Sequence, residues 1–102
     1  MDKAKASKIA RQYFNFIKAR DPNVKQAYIF GSSVKGTMTE DSDIDLAIIF
    51  KKLSDTFDMQ VELMKLRRKF DSRIEPHAFR EADFQSSNPL ANEILKTGQE
   101  II

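Results

Sequence analysis

Apolar residues at Ala6, Ile9, Ala10, Tyr13, Phe14 and Ile17 recur three and four apart, the spacing of one face of a helix. This pattern predicts an amphipathic helix over Lys3 to Arg20, which the turn chemistry of Asp21-Pro22-Asn23 ends. The period then changes. Lys25 to Phe30 reads as a buried strand, and Gly31-Ser32 breaks it. A short helix is expected from Ser32 or Ser33 to about Gly36, and the polar loop Thr39-Glu40-Asp41-Ser42 leads into a second strand, Asp43 to Phe50. Ser54, Asp55 and Thr56 offer cap oxygens for a helix from about Thr56 to Phe70. Its apolar stripes, Phe57-Val61-Met64 and Met59-Leu63-Leu66-Phe70, merge into one broad face. Ser72 to Phe79 predicts a third strand. Asn88 and Pro89 open a last short helix, with Gly98 as its C′ residue. The order is α-β-α-β-α-β-α, a small α/β (α+β) domain with a short mixed sheet of three to four strands flanked by helices.

Composition narrows the class without choosing a function. The 102 residues make one domain, 1–102, with a single modest core. The absence of cysteine excludes disulfides and thiolate metal sites. A net charge of +2 is too small to argue for nucleic-acid binding. No apolar run approaches the roughly 20 residues of a membrane span, and residues 1–20 lack the apolar block of a signal peptide. The expectation is a soluble cytoplasmic protein.

The chemistry concentrates between Gly31 and Leu46. Gly31-Ser32-Ser33-Val34-Lys35-Gly36 ends a strand and starts a helix, where free N–H groups and the helix dipole favour an anion. The Gly-x4-Gly spacing is that of a P-loop, but Thr37 and Met38 stand where Lys and Ser/Thr are needed, and no Gly-x-Gly-x-x-Gly is present. Taken alone, the turn reads more readily as an ordinary strand-to-helix connection with Ser32 as N-cap. Asp43 and Asp45 change that. Residues two apart on a strand share a face, so both carboxylates aim at one point beyond the turn. Aspartate disfavours strands and like charges repel, unless a cation sits between them. Mg²⁺ binds through one or two carboxylates plus substrate phosphates.

Gly31-Ser32, Gly36 and Asp43-x-Asp45, in this order, resemble the signature of the nucleotidyltransferase superfamily related to DNA polymerase beta. The short chain is similar to its minimal, MNT-type branch, often paired with HEPN-domain partners. The resemblance covers roughly Ala27 to Phe79. It implies that Gly31 and Ser32 contact the triphosphate of ATP or another NTP. Asp43 and Asp45 would hold Mg²⁺, or Mn²⁺ in its place, and a third carboxylate would bind the catalytic metal and help activate the attacking hydroxyl. Glu75, in Arg73-Ile74-Glu75-Pro76-His77, is the best match for that role, and Asp71 is its rival. The activity implied is transfer of a nucleoside monophosphate, AMP from ATP as the first expectation, onto a hydroxyl acceptor with release of pyrophosphate. The acceptor surface would come from a HEPN-type toxin partner, a second copy of the chain, or the acceptor protein itself.

Blander readings stand beside these. Glu75 could serve a surface salt bridge with Arg73 or Arg80. His77, the single histidine, reads more readily as structural than as a ligand. The run Lys65-Leu66-Arg67-Arg68-Lys69 suits a solvated face near a helix C-terminus. Tyr13, Phe14, Phe16, Ile94, Leu95, Ile101 and Ile102 are candidates for an uncovered partner surface. The competing class is a binding module that neutralises a partner toxin by contact, with an idle site.

Overall fold

The computed structural model describes residues 2–37, 39 and 41–102. Met38, which fails the P-loop test, and Glu40 of the polar loop lie outside them. The first helix, α1, runs Lys3–Arg20 as the periodicity predicts, and Asp2 caps it by accepting from Lys5 N at 2.8 Å. Strand β1 is Val24–Phe30, helix α2 is Ser32–Lys35, and strand β2 is Ile44–Phe50. Asp43 therefore stands one residue outside β2 rather than opening it. Helix α3 spans Thr56–Leu66, capped by Asp55, whose Oδ1 accepts from Asp58 N at 3.0 Å. It tightens into a 3₁₀ turn at Arg67–Lys69 instead of continuing to Phe70. Strand β3 is Ile74–Arg80, and helix α4 is Pro89–Thr97, with Asn88 accepting from the N–H groups of Leu90 and Ala91. A two-residue strand, β4, Gln99–Glu100, follows and was not expected.

The four strands form one mixed sheet in the order β3-β2-β1-β4. β1 is antiparallel to β2 and β4, while β2 and β3 are parallel. Parallel neighbours need a crossover, which α3 supplies. On one face Ala27, Ile29, Ile44, Leu46, Ile48, Phe50 and Ile74 are buried beneath α1 and α3. Tyr13 joins those two helices: its hydroxyl donates to Leu63 O at 2.7 Å, and burial pushes the phenol's pKa up. On the other face Phe30, Ala47, Ile49 and Phe79 pack with Phe84 and with Ala91 and Ile94 of α4. The result is three layers, helices on both faces of a small sheet.

β3 is an edge strand, not a central one. Its outer backbone groups are met by α3 and the turn after it. Gln60 donates to Pro76 O at 2.6 Å and accepts from Ala78 N at 2.9 Å, and Arg67 Nη1 donates to Ile74 O at 2.9 Å. Pro76, which has no N–H to offer, sits where an edge tolerates it. Unpaired strand edges invite association, and these contacts close this one. Of the apolar residues expected at an uncovered surface, Tyr13, Phe14, Ile94 and Ile101 are buried. Phe16 is half-buried against the core. Leu95 and Ile102 are exposed, as are Phe57, Val61 and Leu90.

Candidate active site

The turn after β1 has a backbone that favours glycine. Gly31 has φ 76° and ψ −144°, a conformation side chains rarely adopt. Its carbonyl accepts from Val34 N and Lys35 N at 3.2 and 3.1 Å, so α2 closes directly on it. Ser33, fully buried, donates its hydroxyl to Phe30 O at 3.2 Å and locks the strand-to-helix corner. Ser32 is half-buried at the head of α2. The N–H groups of Ser32 and Ser33 precede the first donors of the helical ladder, which is the geometry of an anion cradle. Ser32 is not the N-cap; Gly31 occupies that position.

This turn and the second aspartate meet. Phe30 is the register partner of Asp45, and a Cβ placed on Gly31 would lie 2.5 Å from Asp45 Oδ2. Only hydrogen fits between the turn and the carboxylate. Asp45 is also in register with Glu75 on β3, so all three strands bring their residues to the same end of the face that α4 packs on. Asp43 is exposed just ahead of β2. The neighbouring peptide is fixed, because Ile44 N donates to Arg73 O at 2.8 Å.

Glu75, though in register with Asp45, has its carboxylate paired with a cation. Arg67 Nη1 donates to Glu75 Oε1 at 3.0 Å, from the turn at the end of α3. Neither Arg73 nor Arg80 takes that place. Arg73 forks onto Asp71 with Nε and Nη2 at 2.9 and 2.7 Å, and Arg80 pairs loosely with Asp83. The Arg73 hydrogen bonds hold Asp71 down at a pKa of about 2 and occupy it, so the rival for Glu75's role is a loop anchor. Among the described residues no three His, Asp or Glu side chains stand together as a metal-binding group. Mg²⁺ needs only one or two protein carboxylates when phosphates supply further oxygens. The Gly31–Asp45 approach sets the strand-to-helix turn directly beside a carboxylate.

Two residues next to this site were undervalued in the sequence. Arg67 lies in a basic run that suggested a solvated face, yet its side chain is mostly buried. The signal that could have found it is the helix's end, one turn from a strand carrying an acid. His77 Nε2 lies 3.7 Å from Asp45 Oδ1, and its ring contacts Phe30 with centroids 5.4 Å apart. The alternation Glu75-x-His77 already placed both on one strand face.

The profile of the family described as polymerase beta, nucleotidyltransferase, matches residues 12–102. No curated protein matches the sequence. Among solved structures, a protein from Sulfolobus solfataricus described as a nucleotidyltransferase is similar with a TM-score of 0.66 and 24% identity. That match covers 79% of this chain and 72% of that one. Two toxin–antitoxin structures are similar over all of this chain and 73% of theirs. One, with AMP-PNP, has a TM-score of 0.54 and 18% identity. The other, an MntA–HpeT mutant, has a TM-score of 0.53 and 16% identity. At these identities the structures speak to the fold, and the family profile, which covers most of the chain, carries the assignment: the chain belongs to the polymerase beta nucleotidyltransferase family.

Proposed function

We propose that this nucleotidyltransferase moves AMP from ATP onto a hydroxyl of a partner protein, as the antitoxin of a minimal toxin–antitoxin pair. The observation that carries this reading is the contact of the Gly31 turn with Asp45, which sets a phosphate cradle against a carboxylate. Two solved structures of similar fold, described as toxin–antitoxin and in one case holding AMP-PNP, support the choice of nucleotide and context. A HEPN-type toxin is the partner that the MNT-type resemblance implies, and a second copy of the chain is another. No helix among the described residues is long and apolar enough to cross a membrane.

In this reading Gly31 and the N–H groups and hydroxyl of Ser32 hold the triphosphate. Asp43 and Asp45 hold Mg²⁺, which Mn²⁺ can replace. A divalent metal held there would neutralise phosphate charge in the transition state. The acceptor oxygen attacks the α-phosphorus, the bond from that phosphorus to the β-bridging oxygen breaks, and pyrophosphate leaves. The hydroxyl proton passes to a carboxylate, a role the resemblance assigns to Glu75 and one that requires it to leave Arg67. Positioning and electrostatics supply most of the rate.

The Arg67–Glu75 pair also favours a second reading, in which the site is idle and the toxin is neutralised by contact. One experiment separates the two. The partner is co-purified from the native host, incubated with ATP and Mg²⁺, and weighed intact by mass spectrometry. Addition of one or more AMP masses, lost in Asp45→Asn while the complex persists, supports transfer. An unmodified partner that Asp45→Asn still neutralises shows that contact suffices.

A further inference from the structure

We propose that His77 is a positioning residue for Asp45, donating from Nε2–H to Asp45 Oδ1 and fixing which way that carboxylate points. The inference rests on the reading of Asp45 as a metal-holding residue.

His77 sits in β3 in register with Ala47 of β2, which carries only a methyl group. Strands in a sheet are about 4.8 Å apart, so a residue on β3 reaches β1 only by leaning across β2. The His77 ring does so, lying 5.4 Å from the Phe30 ring at 54°. Ala47 leaves room for that lean. The side chain as a whole is 37% exposed, yet Nε2 itself is buried and has no hydrogen-bond partner among the described residues. An unmatched buried polar atom costs about 1–3 kcal/mol, so the position calls for a partner. Asp45 Oδ1, 3.7 Å away, is an acceptor that a shift of less than about 1 Å brings to hydrogen-bond length.

The other oxygen of the same carboxylate is confined as well. Oδ2 abuts Gly31, where a Cβ would come within 2.5 Å. Asp45 is thus gripped between the turn on one side and the imidazole on the other. Residues that hold a metal's ligands in orientation tune its affinity, with typical losses of about 10–100-fold on their removal. A carboxylate free to turn would lose that preorganisation.

The test measures Mn²⁺ binding by the decline of the free-ion EPR signal, with α,β-methylene-ATP present, in wild type, His77→Phe, His77→Gln and Asp45→Asn. His77→Phe keeps a ring against Phe30 and loses the donor; His77→Gln keeps an N–H donor and loses the ring. We expect roughly tenfold weaker Mn²⁺ binding in His77→Phe, with most of it restored in His77→Gln. A merely structural histidine would show the opposite pattern, lower thermal stability in His77→Gln and Mn²⁺ affinity unchanged in His77→Phe, and that overturns the proposal. Because His77 is the only histidine, its tautomer is readable in wild type from long-range ¹H–¹⁵N correlations at mildly alkaline pH. A proton on Nε2 supports the donor role, and a proton on Nδ1 alone overturns it whatever the variants do. If Asp45→Asn leaves Mn²⁺ binding intact, the metal-holding reading of Asp45 fails, a result distinct from failure of His77→Phe alone.

Discussion

Arg67 and Glu75 form an ion pair, Nη1 to Oε1 at 3.0 Å, that joins the end of α3 to the edge strand β3. The same guanidinium nitrogen donates to Ile74 O at 2.9 Å. On the proposed reading that Glu75 joins Asp43 and Asp45 in one site, this arginine would act as a resident cation that offsets their mutual repulsion. Arg67→Met should therefore free Glu75 and raise Mn²⁺ affinity about three- to tenfold in the absence of nucleotide. It should also lower stability by about 1–3 kcal/mol, because Ile74 O loses its donor. Glu75→Gln should cancel the gain in a double variant. Calorimetric Mn²⁺ titration of the four proteins checks this, and unchanged affinity in Arg67→Met would show that Glu75 takes no part in metal binding.

Gly31→Ala tests the meeting of turn and carboxylate. The added methyl would stand 2.5 Å from Asp45 Oδ2, at a φ of 76° that side chains rarely accept. The collision is with the end of a side chain, so Asp45 can swing away and the fold can survive at a cost of about 1–3 kcal/mol. The expected outcome is a folded protein, by circular dichroism, whose Mg²⁺-dependent ATP binding falls at least tenfold. Ser32→Ala, which removes one hydroxyl, should cost less. A reversal of that ranking would argue against the turn as a phosphate cradle.

The elements that local spacing controls were legible in the chain. The 3.6-residue period over Lys3–Arg20 and the caps Asp55 and Asn88 correspond to helices that start where they were expected, although α3 stops at Leu66. The strand between Gly31 and Lys51 was plain from its apolar run. Long-range pairings were not legible. Nothing in Arg73-Ile74-Glu75 tells which of several arginines Glu75 will meet, and the choice of Arg67 depends on how α3 lies along the β3 edge. The edge position of β3 was hidden for the same reason: two of its outer groups, Pro76 O and Ala78 N, are met by the side chain of Gln60 from α3, a pairing that no local pattern announces. β4 escaped notice because two residues carry no period, and their strand character comes from Tyr28 and Ile29 beside them.

Asp71 supplies a pH prediction. Hydrogen bonds from the Arg73 side chain, above all, lower its pKa from 3.8 to about 2. A carboxylate depressed on folding adds stability above its unfolded pKa, and that contribution disappears as pH falls toward the folded value. Wild type should therefore exceed Asp71→Asn by about 1–2 kcal/mol at neutral pH. The gap should begin to close near pH 4 and vanish near pH 2. Urea unfolding of both proteins across that range measures it. A gap that stays constant into acid would mean that the loop is held by shape rather than by charge.

Gly98 supplies the last prediction, and here the reason for glycine differs from the one the sequence suggested. As a C′ residue it would take a left-handed conformation, but its φ is −76° and ψ 165°, extended backbone open to any residue. Space is what restricts it. A Cβ at this position would lie 2.7 Å from Ile94 O and 3.2 Å from Ile29 O, both backbone atoms that cannot rotate aside. The chain passes between the last turn of α4 and β1 before β4 pairs with Tyr28 and Ile29, and Ile101 N then donates to Ala27 O at 2.9 Å. Gly98→Ala should push β4 off the sheet edge and cost about 1–3 kcal/mol. Hydrogen exchange locates the damage: the Ile101 amide should lose protection far more than amides of β2, which pairs with β1 and β3 and not with β4. Equal loss of protection in β2 and at Ile101 would instead mean that the β4 pairing holds the whole sheet together and that the two-residue strand is part of the cooperative core.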